Sequence, residues 1–322
     1  MHILGNYCTK IMEKTKKISI IIPAFNEEEH LPSCLESIAN LDYPKSYIEI
    51  VVVDNGSTDS TKEIARRFGA KVLCDGSLNV SGLRNLGVAE SSGEIITFVD
   101  ADCVVQKEWL KRAERYFDDL NIAAWGSPPV PPVRSTWVQK TWFLIRKKTN
   151  QVQEVDWLES MNLFVRKELF TAIGGFNKSL VTCEDVDFCY RIRECGTIVS
   201  DSRIEVVHLG EAATIKEFMR KETWRGKSNL SGIFAHGFRV KEIPSLFLPL
   251  YFGIFIPGLL LFSFLSFDPR VVLTAFILYV TPSFFVLYKV IGKKANGVDL
   301  LRLLFLSQFY FLARTLSLVK RA

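Results

Sequence analysis

Between Ser245 and Phe267 the chain runs 23 residues without a charge, and after Asp268-Pro269-Arg270 it runs another 18, Val271 to Tyr288. In helical form, at ~1.5 Å per residue, either run crosses the ~30 Å hydrocarbon core of a bilayer. Neither has the polar face that a helix packed on a soluble core would carry. The three-residue break makes a helical hairpin the expected form, with spans at about 245–267 and 271–289. Whatever else this chain folds into must leave that hairpin facing lipid.

The distribution of charge agrees. The whole chain carries a formal net charge of +5. From 289 to 322, Lys289, Lys293, Lys294, Arg302, Arg314, Lys320 and Arg321 oppose only Asp299, a local +6, which leaves the rest near −1 (5 − 6). A basic, apolar tail on a nearly neutral body points to a membrane surface and not to nucleic acid. Leu303 to Ala313 is only 11 uncharged residues. If it spanned, Lys320 and Arg321 would face the far side, against the positive-inside tendency. Residues 299–320 are therefore read as an interfacial amphipathic helix, with a third span as the alternative. Residues 244–322 together form a membrane-anchoring region. The cysteines show neither a CxxC nor a zinc-like His/Cys spacing, which fits a reducing compartment. MHILGNYCTKIMEKTKK has no long apolar stretch and no cleavage pattern, so residues 1–17 are expected to be a tail and not a signal peptide.

Upstream, residues 18–243 alternate between two textures. ISIIIP, Ile18 to Pro23, is the all-apolar run of a strand buried on both faces. Asn26 then reads as the cap of a helix with Glu27, Glu28 and Glu29 in its first turn. Tyr47–Val53 is a second strand, and Thr58–Phe68 a helix with Ile64, Ala65 and Phe68 inward. Lys71–Cys74 is a third strand, Ser81–Glu90 a helix and Ile95–Val99 a fourth strand. This alternation predicts an α/β, mostly parallel, Rossmann-like sheet wound with helices. Farther on, SPPVPPVRS (127–135) reads as an irregular loop, and Thr136–Lys148, Glu184–Glu194 and Thr214–Ile233 as helices. Short strands are expected at Leu163–Val165 and Ile204–His208, with a turn at Gly174–Gly175. In such sheets ligands bind beyond the carboxyl ends of the strands. PAFNEE, DNGSTD and DAD all fall there, so that rim is the expected site.

Asp100 and Asp102, one residue apart at a strand end, suit a hard divalent cation. Mg²⁺ or Mn²⁺ takes oxygen ligands and is commonly shared between one or two carboxylates and a substrate's phosphates. Acidic residues that merely shape a turn are the alternative, and the motif alone does not choose.

PAFNEE (23–28), VDNGSTD (53–59), GLRNLG (82–87), FVDADC (98–103), GGF (174–176) and EDVDFCYRIRECG (184–196) occur in the order and spacing of the family-2 glycosyltransferases of the GT-A fold. The chain resembles that family over about residues 18–230. The resemblance implies a nucleotide-sugar donor, a divalent metal and transfer with inversion. By position, Pro23, Ala24 and Glu27 would line the nucleoside pocket and Asp54 would contact base or ribose. Arg84 would approach the nucleotide. Asp100 and Asp102 match the family's DXD motif, Asp102 as direct metal ligand and Asp100 through water or on the ribose. Asp185 looks like the catalytic base, and His208 falls where relatives place a histidine near metal or diphosphate. Arg225 and Lys227 are candidates for the leaving phosphates, with a solvated charge as the favoured alternative for Arg225. The chain departs from the processive polysaccharide synthases, whose Gln-x-x-Arg-Trp it lacks, and from polyprenyl-phosphate mannose synthases, which continue the acidic motif as Asp-Leu-Gln-His-Pro. It also lacks the Gly-rich first loop of sugar nucleotidyltransferases.

The expectation is a multi-pass enzyme of the cell membrane, its catalytic domain cytosolic, acting on a polyprenyl-linked or other glycan acceptor. The alternatives are transfer to a polyprenyl phosphate itself, or a non-catalytic nucleotide-sugar-binding scaffold. The donor sugar is expected to be set by Ala124–Ser160.

Overall fold

A computed structural model describes residues 15–147, 150–227, 233, 243–266, 268–291, 293 and 295–319. Most of the expected N-terminal tail, and the stretch joining the α/β domain to the hairpin, lie outside the described residues.

The first half follows the expected alternation: β1 (Ile18–Ala24), α1 (Leu31–Ala39), β2 (Ile48–Asp54), α2 (Thr61–Arg67), β3 (Lys71–Cys74), α3 (Val80–Ala89) and β4 (Ile95–Phe98). β1 pairs in parallel with β2 and β4, and β2 with β3. The carboxyl ends of β1, β2 and β4 therefore open on one rim. Ile20 and Ile22 pack on one face of the sheet with Leu31, Leu35 and Trp109, while Ile21 packs on the other with Leu83 and Phe98. This burial on both faces is why β1 is apolar without alternation.

Local detail differs in instructive ways. Asn26 does not cap a helix. It sits in the left-handed region (φ 54), and Glu28–His30 form a turn before Leu31. Lys45–Tyr47 is a single 3-10 turn, and Phe68 is 39% exposed, not inward. α3 is capped by Asn79, whose side chain accepts from the Gly82 N–H at 3.0 Å.

The second half adds β5 (Cys103–Val105), α4 (Trp109–Ala113), β6 (Ile122–Gly126), α5 (Trp137–Arg146), β7 (Val152–Glu154), β8 (Leu163–Arg166), α6 (Lys167–Ala172), α7 (Glu184–Ile192), β9 (Thr197–Asp201), β10 (Val206–His208) and α8 (Ile215–Arg225). The main sheet runs β3-β2-β1-β4-β8-β6-β9-β7, and β5 and β10 form a separate antiparallel ribbon. β8 is antiparallel to both β4 and β6. A parallel first half is thus joined to a mixed second half. The segment expected to shape the donor-sugar pocket begins in the core: Ala123, Ala124 and Trp125 are fully buried in β6. α5 begins with a capping box in which Thr136 and Gln139 satisfy each other's backbone N–H, as the T-x-x-Q pattern favours.

The C-terminal region is helical. α9 (Ile243–Leu250) continues through a π-helical turn (Tyr251–Phe255) into α10 (Ile256–Ser266), followed by α11 (Pro269–Tyr288) and α12 (Gly297–Val319). Among the described residues two helices are long and apolar enough to cross a membrane, Phe247–Ser266 and Pro269–Tyr288, each with mean hydropathy 2.0. Phe264 is 69% and Phe285 72% exposed, which a core helix of a soluble domain would not tolerate. Asp268 caps α11 and Pro269 occupies its first turn. α12 lies between the hairpin and the α/β domain, against α11 and α9 on one side and α8 and α5 on the other. Leu306 joins Val138, Ala212 and Phe218 in a third apolar cluster. Lys293 Nζ donates to the Leu144 and Ile145 carbonyls at the end of α5, 2.8 Å each.

Candidate active site

The rim is assembled from the loops after β1, β2 and β4. The Asn26 N–H donates to Ser57 Oγ (2.9 Å), the Thr58 N–H to Asn26 Oδ1 (2.9 Å) and the Glu27 N–H to Thr61 Oγ1 (2.8 Å). The left-handed turn at Asn26 makes this stitching possible. Asp54 ends β2 fully buried. Its Oδ2 accepts from the Gly56 and Ser57 N–H groups, at 2.9 and 3.0 Å, while Oδ1 is buried with no hydrogen-bond partner among the described residues. A buried carboxylate oxygen left open is a costly feature in an empty protein and a ready acceptor for a ligand N–H or O–H. Pro23 is half-buried at the strand end, and Ala24, paired with Asp54, is buried beneath it.

Asp100 and Arg84 meet. Arg84, 3% exposed on α3, donates through Nη2 to Asp100 Oδ1 and through Nη1 to Glu184 Oε1, both at 2.8 Å, with its guanidinium over the Phe176 ring. The arginine expected to approach the nucleotide is therefore engaged as a clamp between the acidic strand end and the start of α7. Phe176 is held for this contact by the Gly174–Gly175 turn. Both glycines have positive φ (81° and 66°), and Asn85 bonds the Phe176 N–H and carbonyl. α7 starts after Cys183, a non-glycine residue at φ 64, a conformation that costs roughly 1–2 kcal/mol. That turn presents Asp185. Burial first, then the neighbouring Glu184 and Glu159, push its carboxyl up to about 8.

Asp102 and His208 also meet. β10 lies antiparallel to β5 with His208 opposite Cys103, and His208 Nε2 is 3.1 Å from Asp102 Oδ2. Burial acts to raise the Asp102 carboxyl, but the imidazole beside it holds it below the usual range. Asp102, Cys103 and His208 place an oxygen, a sulfur and a nitrogen within 4.8 Å of one another. Burial keeps the Cys103 thiol well above its ordinary value, so the usable donors are carboxylate and imidazole. That pair fits Mn²⁺ better than Mg²⁺, which demands oxygen almost exclusively. Asp100, held by Arg84, stands outside this cluster. Gly210 leaves room beside it: a Cβ there would press into the Asp102 carboxylate. Glu27 faces the same rim, pushed up to about 7 by burial and then by Asp102 and Asp100. Such crowding of carboxylates is what a divalent cation relieves.

Two participants had no motif to announce them. Lys221 on α8 bonds the Gly210 carbonyl and draws down both Asp102 and Glu27 electrostatically. Glu211, 4% exposed, sits with Oε2 3.7 Å from His208 Nδ1 and is ion-paired to Arg146 (2.8 Å) and Arg225 (3.2 Å). Arg225 also binds Glu222 at 2.6 Å, so its guanidinium is taken up inside the protein. Lys227 lies in the turn after α8.

Residues 19–174 match the model of glycosyl transferase family 2. Over those residues the chain is a family-2 glycosyltransferase. Among curated relatives of this glycosyltransferase, Glycosyltransferase AglE of Haloferax volcanii is 29% identical over 222 residues, 66% of this chain and 73% of AglE. The poly(ribitol-phosphate) beta-N-acetylglucosaminyltransferase TarS of Staphylococcus aureus is 36% identical over 113 residues, 32% of this chain but only 19% of TarS. Among solved structures, mannosyltransferase PcManGT from Pyrobaculum calidifontis, in complex with GDP-Man and Mn²⁺, superposes with a TM-score of 0.60 at 16% identity. That likeness covers 94% of this chain and 86% of PcManGT. TarS 1–349 in complex with UDP gives 0.51 at 22% identity, covering 73% and 72%. At these identities the structural likeness is one of fold. It establishes the GT-A architecture of the glycosyltransferase.

Proposed function

We propose that this glycosyltransferase moves a sugar with inversion from a nucleotide-sugar to a membrane-associated, polyprenyl-linked glycan. The proton-retaining Asp185, across the Arg84 clamp from the Asp102–His208 pair, carries this reading. Displacing a nucleoside diphosphate from an anomeric carbon leaves negative charge on the departing oxygens, and the acceptor hydroxyl must lose a proton as it attacks. A carboxylate with proton affinity raised to about 8 is matched to that hydroxyl proton, a contribution of roughly 10²–10⁴-fold in rate. Arg84, by holding Asp100 and Glu184 together, keeps base and acidic rim in register. Asp54, with its open oxygen, takes the nucleoside. Asp102 and His208 would hold a Mn²⁺ or Mg²⁺ ion, which when bound supplies Lewis-acid stabilisation of the diphosphate. Lys221 is placed to add a cation to the same leaving group.

PcManGT and TarS, with GDP-Man, Mn²⁺ and UDP in their complexes, support donor class and metal by likeness. The two exposed apolar helices and the basic stretch from 289 support attachment to the membrane, with the domain on the cytosolic side where nucleotide-sugars occur. Tethering raises the effective concentration of a lipid-borne acceptor.

The test is nucleoside-diphosphate release by the full chain in nanodiscs, given UDP-, GDP- and dTDP-sugars, Mn²⁺ or Mg²⁺, and a polyprenyl-linked lipid extract. Release with one donor, dependent on metal and lipid and lost in Asp102→Ala, is expected. Donor binding with no turnover on any lipid would favour a scaffold role. Asp185→Asn separates the two enzyme readings: a sugar hydroxyl acceptor needs the base, whereas an already ionised lipid phosphate does not.

A further inference from the structure

A line of ion pairs built around the buried carboxylates Glu222 and Glu211 connects α12 to the Asp102–His208 pair. Arg314 Nη2 on α12 is 2.8 Å from Glu222 Oε2 on α8, and Glu222, fully buried, binds Arg225 Nη1 at 2.6 Å through its other oxygen. Arg225 Nη2 reaches both oxygens of Glu211 at 3.2 Å. Arg146 of α5 holds Glu211 Oε2 at 2.8 Å and stands 3.8 Å from Glu159. Glu211 Oε2 in turn stands 3.7 Å from His208 Nδ1, which among the described residues has no hydrogen-bond partner, and His208 Nε2 faces Asp102. Two carboxylates, Glu211 and Glu222, are thus balanced by three arginines, one of which comes from the C-terminal helix.

The geometry points to Arg314 as a positioning residue of the metal-binding pair, so that α12 completes the catalytic centre as well as joining it to the hairpin. This rests on the metal-binding role proposed above for Asp102 and His208. A ligating imidazole is oriented by whatever its second nitrogen faces, and such partners change metal affinity by roughly 10–100-fold when removed. Here that partner is Glu211, and its direction is set by how Arg225 is divided between Glu211 and Glu222. Arg314 fixes the division. Without it Glu222 keeps Arg225 as its one cation among the described residues, Arg225 is drawn off Glu211, and Glu211 turns toward Arg146 and away from the imidazole. Ionic chains in low dielectric propagate such changes because no member can remain buried and unpaired.

Mn²⁺ titration of the full chain in nanodiscs, followed by electron paramagnetic resonance without nucleotide, tests this apart from turnover. The wild type must bind Mn²⁺ and Asp102→Ala must not. Failure there overturns the metal reading itself and, with it, the inference. Given that binding, Glu211→Gln is expected to weaken it by roughly 10–100-fold, and Arg314→Gln by about threefold or more, the scale of coupling between linked sites. Arg314→Lys is expected to recover most of the loss. Glu222→Gln, which leaves Arg225 wholly to Glu211, is the second variant should Arg314→Gln fail to accumulate, and it is expected to move Mn²⁺ affinity in the opposite sense by about threefold or more. Phe311→Leu, on α12 against Phe252 but outside the ionic line, is the packing control. Wild-type Mn²⁺ affinity in both Arg314→Gln and Glu222→Gln would overturn the assignment. So would an equal loss in Phe311→Leu, which would reduce the effect to general docking of α12.

Discussion

A carboxyl group that holds its proton up to about 8 is an acid at neutral pH in the free enzyme, and this shapes what Asp185 can be seen to do. If it is the base, kcat/KM should rise with pH along a single limb centred near that value, and the limb should vanish in Asp185→Asn together with ~10²–10⁴-fold of the rate. The same shift has a stability consequence of definite sign. The native state keeps the proton up to about 8, while the unfolded chain gives it up near 3.8. Between those values the folded form binds more protons, so this group's contribution to stability falls as pH rises. Asp185→Asn removes that loss and should be more stable than wild type at pH 7.5 by on the order of 1 kcal/mol, a common trade at functional sites. Thermal melts at pH 5 and 7.5 check it, since the gain should shrink at the lower pH. Arg84 behaves oppositely. Arg84→Met leaves Glu184 and Asp100 without their buried cation and is expected to cost about 3–5 kcal/mol, read by chemical denaturation.

At the scale of elements, the ribbon of β5 and β10 explains why the DAD strand end alone could not identify its partner. Asp102 and His208 are 106 residues apart in sequence, and only antiparallel pairing of two three-residue strands brings them together. Strands this short carry no periodicity, and β5, β6, β7 and β9 all escape a reading based on apolar runs. Three parallel-strand ends on one rim were legible, because β1, β2 and β4 are apolar on both faces and each is followed by a polar loop. The PAFNEE turn was located but its shape was not, since Asn26 gives no sign in sequence that it will adopt φ 54 in place of capping a helix. Lys221 and Glu211 were invisible for a related reason: a lone Lys on a helix and a Glu three residues after His208 acquire meaning only when α8 packs beside the ribbon. Gly210 offers a test at this scale. Gly210→Ala places a methyl against the Asp102 carboxylate, and Mn²⁺ binding should fall by about tenfold or more, as when a ligand's surroundings are disturbed. The main sheet does not include this residue, so circular dichroism should stay unchanged.

For the whole molecule the question is whether the C-terminal region is a detachable anchor. Composition alone reads it as one: two apolar spans, a basic tail, and a helix near residue 299 lying at the interface. The packing of α12 argues otherwise. Its apolar residues close a cluster with Val138 of α5, Phe218 of α8 and Ala212 of the loop before α8, Lys293 caps the end of α5, and Arg314 neutralises the fully buried Glu222. A chain ended before Ile243 would expose that cluster to water and, among the described residues, leave Glu222 with Arg225 as its one cation. Burial of side chains the size of Phe and Leu is worth roughly 1.5–3 kcal/mol each, so the loss is a large fraction of the 5–15 kcal/mol by which a domain is usually stable. The truncated domain is therefore expected to melt well below the full chain in nanodiscs and to aggregate at concentrations where the full chain does not. A second truncation, with residues 245–289 replaced by a flexible linker so that α12 can still dock, should recover most of the difference and become water-soluble. Equal melting of the two shortened forms would mean that α12 contributes nothing to the domain it touches. Recovery with solubility would mean that the hairpin alone holds this enzyme to lipid.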